Sequence, residues 1–229
     1  MEKIAFIGGF DKSDLLLYIA KILQLIGKKV LLIDTTAMQN LRYIVPTIQP
    51  QKQYIIDFQK VDIALGFQTL DEIKKYKQEN DSEPFEYDYI LYDIDTFRAY
   101  YYFQIKPEDK HFFVTGFDLY SLRKGIQVLK RIPTPVEVTK VYFTKELLDK
   151  ENKYVDFLTK DVKFKWDNDI IYFPFETSDL SAIHANERTG KIRVGGVSLQ
   201  YIDSLAYIVE EATGLNSSNI KKAIKILEK

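Results

Sequence analysis

The fold is decided by residues 3–26, KIAFIGGFDKSDLLLYIAKILQLI. Lys3–Ile7 is a strand-favouring run that ends on the pair Gly8-Gly9. After Phe10-Asp11-Lys12 the pattern changes. From Ser13 onward Leu15, Leu16, Ile19, Ile22, Leu23 and Ile26 recur at helical spacing, and Gly27 supplies a stop. A strand, a glycine-rich turn and an amphipathic helix are the opening unit of an α/β chain.

The rest of the chain repeats that alternation. Lys29–Asp34 (KVLLID), Tyr87–Asp93 (YDYILYD), His111–Thr115, Thr139–Thr144 and Ile170–Phe173 read as strands, with Ile55–Asp57 a weaker one. Continuous apolar runs of this kind suit strands buried on both faces. Helical patterns fall between and after them at Thr69–Gln78, Asp118–Lys130, Glu146–Leu158, Leu199–Ala212 and Ser218–Leu227, and Lys77–Pro84 reads as a polar surface loop. The expectation is an α/β three-layer sandwich: a mostly parallel sheet flanked by helices, P-loop NTPase-like or Rossmann-like. Right-handed crossovers then place all strand C-termini on one edge, where such sheets bind ligands.

Composition narrows the function. The 229 residues are 46% hydrophobic and 28% charged, which excludes a disordered chain. Lys+Arg number 32 against 33 Asp+Glu, a net charge of -1, so no global field draws the protein onto nucleic acid. The absence of cysteine removes disulfides and thiolate chemistry, and two distant histidines, His111 and His184, make a poor metal site. Neither a membrane-length apolar run nor signal-peptide anatomy is visible, so the expectation is a cytoplasmic protein.

The chemistry-bearing residues lie at strand ends. Gly8-Gly9-Phe10-Asp11-Lys12-Ser13 sits in the first strand-to-helix turn, where backbone N–H groups favour an anion and Lys12 adds a point charge. Ser13 is equally suited to capping the helix. Asp34 and Asp93 each end a buried strand, where an unpaired carboxylate is costly; pairing with Lys12 is the structural alternative to a ligand role. Asp95 reads as a solvated loop carboxylate.

At this point the chain resembles the ParA/MinD family of deviant Walker-type ATPases, over most of its length. The family loop reads G-K-G-G-x-G-K-S/T; Gly8, Gly9, Lys12 and Ser13 match it, while Phe6, Ile7 and Asp11 do not. Lys29–Asp34 is similar to the family's V-L-L-I-D, Tyr87–Thr96 to its Walker B strand, and Phe173-Pro174-Phe175 to the segment beside the nucleotide base. The resemblance implies that Gly8, Gly9, Phe10, Asp11, Lys12, Ser13 and Asp14 cradle ATP or ADP, with Pro174 near the base. It further implies Lys12 on the terminal phosphates, Ser13 and Asp93 on Mg²⁺, and Asp34 orienting the attacking water; Lys12 and Asp34 are thus the catalytic candidates.

The departures bear on activity. Ile7 stands at the family's signature lysine, which reaches across a dimer; aligned instead with Gly8 as first loop glycine, the loop is two residues short. Asp11 replaces a glycine and brings a carboxylate toward the phosphates. Thr36 and Thr144 replace a carboxylate and a base-reading Asn.

Residues 1–214 are expected to form the nucleotide-binding domain and 215–229 a basic amphipathic helix. In that tail Ile220, Ala223, Ile224 and Leu227 share one face, with Lys221, Lys222, Lys225 and Lys229 on the other. It either docks on the domain, lysines outward, or lies on an anionic membrane surface. The aromatic run Tyr100–Phe103 is expected to split between core and surface.

The leading expectation is a nucleotide-regulated homodimer with a cytoplasmic protein partner, acting in positioning, partition or pilus and secretion assembly, the TadZ-like branch included. The alternatives are a pseudo-ATPase scaffold that binds a protein without hydrolysing ATP, and, ranked lower, a DNA-binding partition protein.

Overall fold

Alternating strand and helix signals resolve, in the computed structural model, into one sheet with helices on both faces. Residues 1–47, 52–80, 84–133, 135–146, 149–174 and 176–228 are described. The strands are β1 (Glu2–Ile7), β2 (Val30–Asp34), β3 (Tyr54–Phe58), β4 (Val61–Leu65), β5 (Tyr89–Ile94), β6 (Lys110–Thr115), β7 (Glu137–Thr144) and β8 (Lys165–Pro174). The helices are α1 (Ser13–Leu25), α2 (Leu41–Ile44), α3 (Leu70–Asn80), α4 (Phe97–Tyr102), α5 (Leu119–Leu129), α6 (Asp149–Thr159), α7 (Thr177–Thr189), α8 (Leu199–Thr213) and α9 (Ser217–Leu227).

Strand order is β3-β4-β2-β5-β1-β6-β7-β8, with β3 antiparallel to β4 and every other pairing parallel. β1 is central: Phe6 lies opposite Asp93 on one side and Phe112 on the other. Alternate residues of each strand feed two cores, which is why the runs read as apolar throughout. Phe6, Leu32, Leu91 and Phe112 pack toward α1, α8 and α9, while Ile7, Ile33, Tyr92 and Phe113 pack toward α3, α4, α5 and α6.

Three differences from expectation have local causes. β4 went unread; it pairs with β3, the strand expected at Ile55–Asp57, through a two-residue turn at Gln59 (φ 55°) and Lys60 (φ 68°). Both residues adopt left-handed backbone that Asn-Gly usually signals, so the hairpin carries no turn signature in the sequence. Helix α3, expected over Thr69–Gln78, continues to Asn80 into the stretch read as loop, and its Lys77 lies 3.5 Å from Asp62. Helix α7 went unread because only Asp179 and Ile183 of it are buried, leaving little apolar periodicity.

The apolar face of α9 is used within the fold: Ile220, Ala223, Ile224 and Leu227 are buried in the core shared with α1 and α8. Lys221, Lys222 and Lys225 face outward; Lys229 lies outside the described residues. No helix among the described residues is long and apolar enough to cross a membrane.

Candidate functional site

The loop leaving β1 is pinned before it reaches α1. Gly8 N–H donates to the Ile94 carbonyl at 2.9 Å. A Cβ on Gly8 would stand 1.9 Å from the Val114 carbonyl oxygen, so only glycine lets the loop pass β6. Beyond it the Phe10 ring stacks on Phe143 at 4.8 Å, and Phe143 stacks on Phe173 at 4.9 Å. Apolar stacking thus ties the loop to β7 and β8.

Lys12 then turns inward. It is 2% exposed, and its Nζ lies 2.5 Å from Asp93 Oδ1 and 3.1 Å from the Gly8 carbonyl. Lys12 and Asp93 thus form a close, buried ion pair. Burial pushes the Asp93 carboxyl up to about 7. Lys12 opposes that rise, but nearby Asp34 and Asp11 reinforce it. Burial thus favours the protonated Asp93 carboxyl well beyond an exposed aspartate, even with an ammonium beside it.

The other acids are also engaged. Asp11 Oδ1 accepts from Ser13 N–H at 3.1 Å and Oδ2 from Asn40 Nδ2 at 2.8 Å. It caps α1, so the carboxylate occupies an amide at the very helix terminus where an anion would bind. Ser13 is the first residue of α1 and Lys12 its N-cap; Asp11 does the capping that the sequence assigned to Ser13. Asp34 Oδ1 accepts from Thr36 N–H (2.9 Å) and Thr36 Oγ1 (2.6 Å), and Oδ2 from Leu41 N–H (3.3 Å). Burial raises its pKa and these hydrogen bonds pull the other way. The fold uses Asp34 to shape the 35–41 loop.

One reading needs correction. Asp95 is not solvated: it is 5% exposed, pairs with Lys124 Nζ at 2.5 Å and faces Ala37 N–H at 3.3 Å. The sequence missed Lys124 because it lies on α5, far along the chain; only Gly9, whose Cβ would meet Lys124 Cβ at 2.9 Å, marks the approach.

These side chains converge on a cavity of about 100 Å³ lined by residues 8–13, Thr36, Met38, Asn40, Asp93, Asp95, Tyr120 and Lys124. Gly8, Gly9, Phe10, Asp11, Lys12, Ser13 and Asp93 are thus brought together. Asp14 is not: it faces a crevice with Tyr18, Asn186 and Glu187, where burial first and Glu187 second push it up to about 8. Pro174 ends β8 opposite Thr144 and does not line the cavity; Phe175 lies outside the described residues. A hollow of about 520 Å³ beside Tyr100, Tyr101 and Tyr102 is a different place on the surface.

A central parallel strand running into a glycine loop, a buried lysine and a facing strand-end aspartate define the architecture of a P-loop NTPase. Two solved structures share it across nearly the whole chain, and the fold is ParA/MinD-like. The MinD cell division protein of Aquifex aeolicus is 19% identical, with 94% of this chain and 100% of that one covered, at a TM-score of 0.52. A protein of Borrelia burgdorferi B31 described as a plasmid partition protein, bound to AMPPNP, is 13% identical, with 98% of each chain covered, at a TM-score of 0.51. No protein-family model matches the chain, and no curated protein does either.

The corner does not fit a magnesium nucleotide as arranged. Its about 100 Å³ is well below the ~300 Å³ at which pockets for drug-sized ligands begin, and a nucleoside triphosphate is of that size. Asp11, Asp93 and Asp95 face Lys12 and Lys124 across it, so carboxylates outnumber ammonium groups where a polyanion would sit. Among the described residues no group of three or more His, Asp or Glu is disposed to hold a metal ion.

Proposed function

We propose that this protein is a ParA/MinD-like scaffold in positioning, partition or assembly, working through a protein partner or a second copy without hydrolysing ATP. The carrying observation is the Lys12–Asp93 pair: the ammonium that would meet the terminal phosphates is buried 2.5 Å from a carboxylate in a cavity of about 100 Å³. A Borrelia protein of this fold is bound to AMPPNP, which supports a nucleotide as the ligand to test against this corner. Here Asp11 and the Lys12–Asp93 pair occupy the corner from within. Met38, Leu119 and Tyr120 are exposed around this edge, apolar surface suited to a partner or a second copy.

The second reading keeps a nucleotide switch. The convergence of Lys12, Ser13 and Asp93 at one strand edge favours it, with Asp34 behind them; Mg·ATP would then have to part Lys12 from Asp93. Calorimetry of Mg·ATP with wild type and Lys12→Ala separates the two readings. No heat from either protein is the expected result. Saturable heat from wild type that Lys12→Ala abolishes overturns the scaffold reading.

A further inference from the structure

Beside the carboxylate-crowded corner, and sharing Thr36 with it, a second cavity of about 230 Å³ opens beyond the ends of β2, β4 and β5. Its chemistry is the reverse. Among the described residues neither Asp nor Glu lines it, and several donors there have no acceptor.

Arg98 supplies the charge. Its guanidinium lies 5.2 Å from the centre of the Tyr102 ring, and among the described residues no carboxylate pairs with it. Gln39 accepts from Arg42 Nε through Oε1 at 2.5 Å, which leaves its amide NH₂ to donate. The Gln68 side-chain amide has no partner among the described residues; its backbone N–H is held by Glu72 at 2.9 Å. Thr96 Oγ1 accepts from Ala99 N–H at 3.2 Å, so its hydroxyl hydrogen remains. Gln39 is also held at φ 51°, a left-handed backbone uncommon outside glycine. Such local strain is concentrated at ligand clamps.

We propose that this cavity binds a small organic anion through a carboxylate or phosphate group, with Arg98 as the counter-charge and Gln39, Gln68 and Thr96 as flanking donors. Arg is the side chain suited to planar, two-pronged recognition of either group. The volume exceeds that of one inorganic phosphate and falls short of the roughly 300 Å³ of drug-sized ligands, which sets the class as small acids. Phe67 and Phe103 furnish an apolar floor for the carbon skeleton. The site lies on the sheet edge where α/β folds bind ligands, yet it is separate from the Lys12 corner. It goes beyond the scaffold reading and stands whether or not that corner accepts ATP.

The test is amide NMR of the full chain at constant ionic strength, titrated separately with citrate, glycerol 3-phosphate and, as an uncharged control, glycerol. The expected result is saturable shifts at Gln39, Gln68, Thr96 and Arg98 with one or both anions and none with glycerol. Citrate alone identifies a carboxylate ligand, and glycerol 3-phosphate alone a phosphate ester. Arg98→Gln should weaken binding about tenfold or more, as expected for a charge-assisted hydrogen bond, with Arg98→Lys intermediate. Arg98 is exposed, so neither variant endangers the fold. Unchanged affinity in Arg98→Gln, saturable shifts centred on residues 9–13 instead, or no saturation by either anion would each overturn the proposal.

Discussion

The two cavities that share Thr36 are neighbours on one sheet edge and chemical opposites. The Lys12 corner has the outline of a phosphate loop but is lined by Asp11, Asp93 and Asp95. The adjoining cavity has no such loop and contains Arg98 with no acid. Backbone path and charge are therefore separable. A glycine-lined turn between β1 and α1 is fixed by packing against β6 and β7, whereas what it binds is set by a few side chains that packing leaves free to change.

The largest effect should come from breaking the corner's ion pair. Lys12→Met leaves Asp93 buried without its counter-charge, which costs about 3–5 kcal/mol for a pair of this kind. Because Asp93 already titrates at about 7, protonation relieves part of that loss. Urea melts should show a larger deficit at pH 8 than at pH 5.5, and adding Asp93→Asn should recover most of it. Equal deficits at the two pH values would show that Lys12 contributes packing, not charge.

Next is the loop path. Gly8→Ala drives a methyl into the Val114 carbonyl at 1.9 Å, a backbone atom with nowhere to move. Overpacking of this sort costs about 1–3 kcal/mol. Gly9→Ala, whose Cβ would meet Lys124 Cβ at 2.9 Å, a milder overlap than 1.9 Å, should cost less. Chemical denaturation of the two variants gives the order directly.

The parts legible in the sequence were those with strong periodicity. β1, α1, β2, β5 and α8 declare themselves because each buries a whole strand or a whole helical face. The β3–β4 turn was hidden, since Gln59 and Lys60 adopt left-handed backbone without a glycine or asparagine to announce it. At the site, loop and strand ends fixed the positions of Lys12, Ser13 and Asp93. The Lys12–Asp93 pairing was legible as the structural alternative to a ligand role; the other pairings were not. Nothing local to Asp95 foretells Lys124 of α5, and nothing in the loop says that Asp11 bonds back to Ser13. Such partners are chosen by tertiary distance. The aromatic run did divide as expected, Tyr100 and Phe103 buried with Tyr101 and Tyr102 exposed.

Acid should strengthen the fold over a defined window. The carboxyls of Asp93 and Asp14 are raised to about 7 and about 8 from an ordinary 3.8, so the folded state holds protons that the unfolded chain releases. That contribution is complete below the unfolded pKa and is lost as pH rises through 7 and 8. Going from pH 8 to pH 6 should add about 1–2 kcal/mol for each group, raising Tm by several degrees. Asp14→Asn should flatten the slope most above pH 7. A slope left intact would move the origin of the effect away from the Asp14–Glu187 contact.

The smallest expected effect on stability concerns Asp11, and it bears most directly on why the two cavities differ. Asp11→Gly removes the α1 cap, worth about 1 kcal/mol or less when glycine replaces it. Asp11→Asn removes the charge at nearly constant size: its oxygen can still accept from Ser13 N–H, while its NH₂ now faces Asn40, whose amide must turn to accept; stability should stay within about 1 kcal/mol of wild type. The pair separates two reasons for a closed corner. If repulsion excludes phosphate, both variants should gain Mg·ATP binding, each unit charge pair removed at 4 Å being worth about 1 kcal/mol in water, or roughly fivefold in affinity. If the carboxamide-sized group itself fills the seat, only the glycine variant gains. Calorimetric titration showing no gain in either would place the barrier at the Lys12–Asp93 pair, where a nucleotide must compete with a carboxylate 2.5 Å from the only ammonium within the loop.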